Sequence, residues 1–117
     1  MNPHKVAVVS AIALGVMLCA QPVRAQDKAA VERGMKVYTD QKCATCHSIE
    51  GKGKKTGPLD GVASKLSEAE IREWIVNSAE MTKKTQSKKK PVMKNYSKLT
   101  KDDVDGLVAY MMTLKKS

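Results

Sequence analysis

The chain has 117 residues, 42% of them hydrophobic, with 21 Lys and Arg against 12 Asp and Glu and a formal net charge of +9. That length allows one small domain and no more, and with no Phe, one Trp and three Tyr an aromatic-rich core is excluded. Small chains bury a modest fraction of their surface and often need a staple or a prosthetic group. A large apolar cofactor would supply the missing core volume, but composition alone does not establish one.

Residues 1–25 read as a secretory signal peptide. A short start carrying Lys5 leads into an apolar stretch over residues 6–20, and Val23-Arg24-Ala25 puts tolerated residues at the cleavage positions. The apolar stretch falls short of the roughly 20 residues a spanning helix needs. Bulky Leu18 before Cys19 argues against a lipoprotein signal, so Cys19 leaves with the peptide. Cleavage after Ala25 leaves a mature domain of residues 26–117. It has 19 basic and 12 acidic side chains, a balance of +7, two cysteines (Cys43 and Cys46) and one histidine, His47.

Residues 27–40 are predicted as a first helix, with Val31, Gly34, Met35 and Tyr38 at the i, i+3, i+4, i+7 spacing of one face. Gly34 costs helix propensity, which suggests that another backbone comes close there. After residues 43–47 a loop rich in Gly and Lys runs over residues 50–57, followed by irregular chain and a short helical turn over residues 62–65. A middle helix starts at Ser67, where Ser67 and Glu70 make an S-x-x-E capping box and Leu66, Ile71, Trp74 and Ile75 supply the apolar face. Residues 78–98 are Lys-rich and weakly apolar and are predicted as a long ordered loop. Such a loop in a small domain is usually functional. The last helix spans residues 100–115, capped by Thr100, with Asp102 and Asp103 in its positive first turn and Lys115 and Lys116 at its negative end. Its buried face is Val104, Leu107, Val108, Met111 and Leu114. The expected fold is all-α, three principal helices with two long loops and no strand.

Cys43-Ala44-Thr45-Cys46-His47 is a C-x-x-C-H sequence, the attachment motif of one covalent c-type haem. Two thiols three positions apart lie on nearly one side of a helical turn and can form thioethers to two vinyl groups, while His47 ligates the iron. A zinc site would want four ligands, and no other Cys or His survives cleavage. A thioredoxin-like redox pair would expect a βαβ setting, which the pattern lacks.

The mature chain resembles the class I (mitochondrial-type) cytochromes c in their small bacterial, periplasmic, single-haem form. The likeness rests on Gly34 and Tyr38 ahead of the haem motif, Gly57-Pro58-Leu59 after it, and Leu107-Val108-Ala109-Tyr110 in the last helix. It implies the small cytochrome c fold around the haem, with the last helix crossing the first at Gly34. It also implies that the Pro58 carbonyl accepts the N–H of the proximal histidine, a bond that orients the ring. The family's sixth ligand is a methionine in the loop before the last helix, and Pro91-Val92-Met93 fits that pattern. Met81 is the lesser candidate, while Met35, Met111 and Met112 read as packing.

Trp74 and Ile75 read equally as a haem-facing pair and as an ordinary buried helix face. Lys52, Lys54 and Lys55 follow the haem motif, and Lys83, Lys84, Lys88, Lys89, Lys90, Lys94 and Lys98 surround Met93. A positive rim at the haem edge would steer acidic redox partners; the same charges could simply keep a loop soluble. Nucleic acid is disfavoured by export and by the scarcity of aromatic residues among the lysines, and no basic amphipathic helix supports membrane binding after cleavage. The leading expectation is a monomeric periplasmic electron carrier, not an enzyme, working by outer-sphere transfer. The alternatives are a haem subunit of a larger oxidoreductase complex, or a gas- or peroxide-reactive haem with an open sixth position.

Overall fold

A computed structural model describes residues 23–116. The expected leader lies outside them except for its last three positions. Helix α1 (Val23–Asp40) and helix α5 (Lys101–Met112) form the central pair. Between them come a 3₁₀ turn (Cys43–Thr45), strands β1 (Ser48–Ile49) and β2 (Lys52–Gly53), and helices α2 (Val62–Lys65), α3 (Glu68–Val76) and α4 (Ser78–Thr85). The all-α reading holds in its main lines.

The buried stripe of α1 runs through Gly34 and Val37, with Val31 and Tyr38 half-buried beside them. Met35, expected on that face, is 48% exposed instead. The stripe is turned toward Val37 because α5 crosses at Gly34, where a Cβ would stand 2.0 Å from the Gly106 carbonyl oxygen. Val37 joins Ile71, Ile75, Val104, Leu107, Val108 and Met111 in one apolar core. Burying each such side chain is worth about 1.5–3 kcal/mol. Two ion pairs frame this core: Arg33 Nε on Asp103 Oδ1 at 2.9 Å joins α1 to α5, and Arg72 Nη2 on Asp105 Oδ1 at 2.7 Å joins α3 to α5.

The expected helix starts are present. Ser67 Oγ accepts the Glu70 N–H at 3.2 Å while Glu70 Oε2 accepts the Ser67 N–H at 2.8 Å, a complete capping box. Thr100 Oγ1 accepts the Asp103 N–H at 3.2 Å. The last helix ends at Met112 rather than residue 115. Thr113 and Leu114 donate backbone bonds to Tyr110 and Met111, tightening the final turn, and the tail is drawn onto α2 by Ala63 N–H on the Leu114 carbonyl and Lys116 N–H on Ser64 Oγ.

Two expectations are corrected. A strand pair exists: β1 and β2 are antiparallel, with Ser48 opposite Gly53 and Ile49 opposite Lys52. Glu50 and Gly51 between them both have positive φ (51° and 76°), the backbone of a two-residue hairpin turn that Asn-Gly would have announced more clearly. The stretch over residues 78–98 is not all loop, since its first eight residues are α4. Ser78 and Met81 are buried there and the lysines point outward. Its end is hidden in sequence because Gln86 occupies the left-handed position (φ 53°) usually held by glycine. Gln86 N–H reaches the Lys83 carbonyl and Ser87 N–H the Thr82 carbonyl, both at 3.1 Å.

Candidate haem site

The chain leaves α1 through Lys42, whose left-handed backbone (φ 56°, ψ 39°) turns it sharply into the 3₁₀ segment. Thr45 Oγ1 holds that corner by donating to the Lys42 carbonyl at 2.6 Å. The Cys43 carbonyl accepts two N–H groups, from Cys46 at 3.1 Å and His47 at 3.0 Å. In a 3₁₀ turn side chains at i and i+3 eclipse one another, so Cys43 and Cys46 share a side. Both are free thiols, Cys43 half-buried and Cys46 exposed. Burial pushes the Cys43 thiol above its ordinary pKa.

His47 is half-buried and held through both its backbone and its ring. Its carbonyl accepts the Lys54 N–H at 2.9 Å, and its Nδ1 lies 3.0 Å from the Gly57 carbonyl oxygen. A carbonyl only accepts, so Nδ1 carries the proton and Nε2 keeps its lone pair for a metal. The accepting carbonyl is that of Gly57, not that of Pro58. Ser48 N–H bonds the Gly57 carbonyl at 3.1 Å and Leu59 N–H bonds the Ser48 carbonyl at 2.8 Å, a parallel bridge between Ser48 and Pro58. Carbonyls alternate along an extended chain, so the Gly57 oxygen faces His47 while that of Pro58 turns away. Gly57 has no room for a side chain: a Cβ would meet the Cys46 carbonyl oxygen at 2.2 Å and His47 Nδ1 at 3.3 Å.

Met93 is half-buried in the segment between α4 and α5, whereas Met81 is 7% exposed on α4. The Met93 carbonyl is held by fully buried Ser78, whose Oγ donates to it at 2.7 Å. Tyr96, which the sequence reading did not single out, anchors the far end of this segment through its N–H on the Ile75 carbonyl at 2.9 Å. Its phenol is pushed above its ordinary pKa by burial first and then by Cys43 and Cys46. The signal for Tyr96 was an aromatic three residues after the candidate ligand. Trp74 is half-buried on α3, and Tyr38 packs edge-on against Tyr110 with ring centres 5.8 Å apart.

The sequence model of the Cytochrome c family matches residues 31–115. This chain belongs to the cytochrome c family. Comparison with curated proteins and with solved structures gives no match. As a cytochrome c it carries a covalently bound c-type haem and serves haem-based electron transfer with redox partners; the family's members are typically electron carriers rather than enzymes. The residues present fit that group. Two unpaired thiols three positions apart in one turn and an imidazole oriented through Nδ1, with Nε2 available, match the attachment and ligation chemistry of a c-type haem. Cytochrome c domains are typically extracytoplasmic, and among the described residues no helix is long and apolar enough to cross a membrane.

Proposed function

We propose that this cytochrome c is an exported, single-haem electron carrier of the periplasm, with its iron held between His47 and Met93. Bound haem supplies one-electron chemistry, its iron alternating between ferric and ferrous. Cys43 and Cys46 tether the group, and the Gly57 carbonyl keeps the His47 ring in the tautomer that presents Nε2. Met93 contributes a thioether, which favours the ferrous state and raises the reduction potential. With His47 and Met93 both holding the iron, the haem would exchange electrons by outer-sphere transfer without binding a substrate. The observation that carries this reading is the His47 ring, pinned at Nδ1 beside two unpaired cysteines.

The remaining roles follow from charge and leader. Residues 1–25 act as a cleaved signal peptide, and residues 26–117 are the mature, monomeric cytochrome domain without stable membrane insertion. Lys52, Lys54 and Lys55, with Lys83, Lys84 and the lysines from Lys88 to Lys98, are all exposed, and they steer a partner with an acidic docking surface.

The test is the optical spectrum of the haem-loaded protein, ferric and ferrous, with and without carbon monoxide. Expected are a low-spin spectrum, a ferric sulfur-to-iron band, and no change of the ferrous form with carbon monoxide. That band disappears in Met93→Ala and survives in Met81→Ala. A high-spin spectrum that responds to carbon monoxide would replace the carrier with a gas- or peroxide-reactive haem.

A further inference from the structure

We propose that Ser78 and Asn95 form a clip that positions Met93 and sets how firmly its thioether holds the iron; this rests on the His47/Met93 reading above. Ser78 is the first residue of α4 and is 0% exposed. Its Oγ lies 2.7 Å from the Met93 carbonyl oxygen and 2.7 Å from Asn95 Oδ1, and Asn95 Oδ1 also accepts the Ala79 N–H at 3.0 Å. A hydroxyl has one proton to give, so Ser78 shares it between two acceptors that bracket residue 94. Among the described residues these are the only hydrogen bonds that tie residues 90–95 to the rest of the protein. The flanks are fastened separately, by the α4 cap at Gln86 and Ser87 and by Tyr96 N–H on the Ile75 carbonyl.

The consequence is mechanical. A segment free between residues 88 and 95 would let the Met93 sulfur leave the iron at little cost, whereas the clip fixes the Met93 backbone against a buried helix start. Ser78 is therefore a positioning residue: it acts on the iron through Met93. Loss of one such hydrogen bond corresponds to about a two- to tenfold change in an equilibrium constant, and that is the effect expected on ligand competition.

The experiment uses the full haem-loaded ferric protein and imidazole as the competing ligand, following loss of the sulfur-to-iron band. Ser78→Ala and Asn95→Ala should each lower the imidazole concentration for half-displacement by about two- to tenfold. Asn95→Ala should also speed exchange of the Ala79 amide, whose N–H donates to Asn95 Oδ1. Thr82→Ala removes a neighbouring bond, from Thr82 Oγ1 to the Ser78 carbonyl at 2.8 Å; it should lower thermal stability and leave imidazole affinity at the parent value. If Ser78→Ala does not fold, Asn95→Ala decides. Parental imidazole affinity in the folded clip variants, with a band that Met93→Ala abolishes, overturns the clip alone. A parent without the band, or a band that survives Met93→Ala, overturns the ligation reading and the clip with it.

Discussion

Gly34 on α1 faces Gly106 on α5 so closely that a Cβ on Gly34 would sit 2.0 Å from the Gly106 carbonyl oxygen and 2.7 Å from the Tyr110 Cβ. Replacement by alanine gains about 1 kcal/mol of helix propensity. It also forces two backbones apart, and overpacking of this kind costs about 1–3 kcal/mol or more. Gly34→Ala is therefore expected to be net destabilising. Gly106→Ala, whose nearest neighbour is Gly34 N at 3.0 Å, should lose less. Thermal unfolding checks both, since 1 kcal/mol moves the midpoint by roughly 4–8 °C in a domain of this size.

Gly57 is the second position where space decides. In Gly57→Ala the new methyl meets the Cys46 carbonyl oxygen at 2.2 Å, so the chain shifts and its carbonyl leaves the His47 ring. The expected outcome is a loss of about 1–3 kcal/mol in stability. With the Nδ1 bond gone His47 is a poorer donor to ferric iron, so the reduction potential should rise. Redox titration of the loaded variant beside Pro58→Ala separates the two carbonyls: Pro58→Ala should leave the potential near the parent value.

Acid should loosen the α1–α5 and α3–α5 seams. Arg33, and then Thr100, hold the Asp103 carboxyl below its ordinary value, while Lys101, and then Arg72, do the same for Asp105. A carboxyl with a depressed folded-state pKa adds stability that is present above its unfolded value and is lost as pH falls through the folded one. Unfolding free energy should thus decline below about pH 4, and Asp103→Asn should flatten part of that decline. Both partners are solvent-accessible, so added salt should reduce the effect.

Tyr38 makes the opposite prediction at high pH. Its phenol is pushed up to about 12 from 10.0, chiefly by burial. A raised folded-state pKa contributes stability that is intact below pH 10 and lost as pH climbs toward 12. The Tyr38 hydroxyl is buried without a hydrogen-bond partner among the described residues. Tyr38→Phe should accordingly cost little at neutral pH and lose less stability than the parent between pH 10 and 12, as followed by denaturant titration.

Local chemistry was readable without coordinates. The spacing of Cys43, Cys46 and His47, the capping box of Ser67 and Glu70, the Thr100 cap and the α2 turn depend on residues within four positions of one another. Residue type and spacing alone therefore determined them. Gly34 likewise announced a close approach, because a glycine within a helix calls for a reason. What it meets, Gly106, lies on the other side of the chain and only the helix crossing reveals it. The same holds for the Gly57 carbonyl on His47, the burial of Ser78 that lets α4 form where lysines suggested a loop, and the outward turn of Met35. Each depends on which surfaces meet across long sequence separations, and packing of buried backbone and side chains, rather than local propensity, decides that.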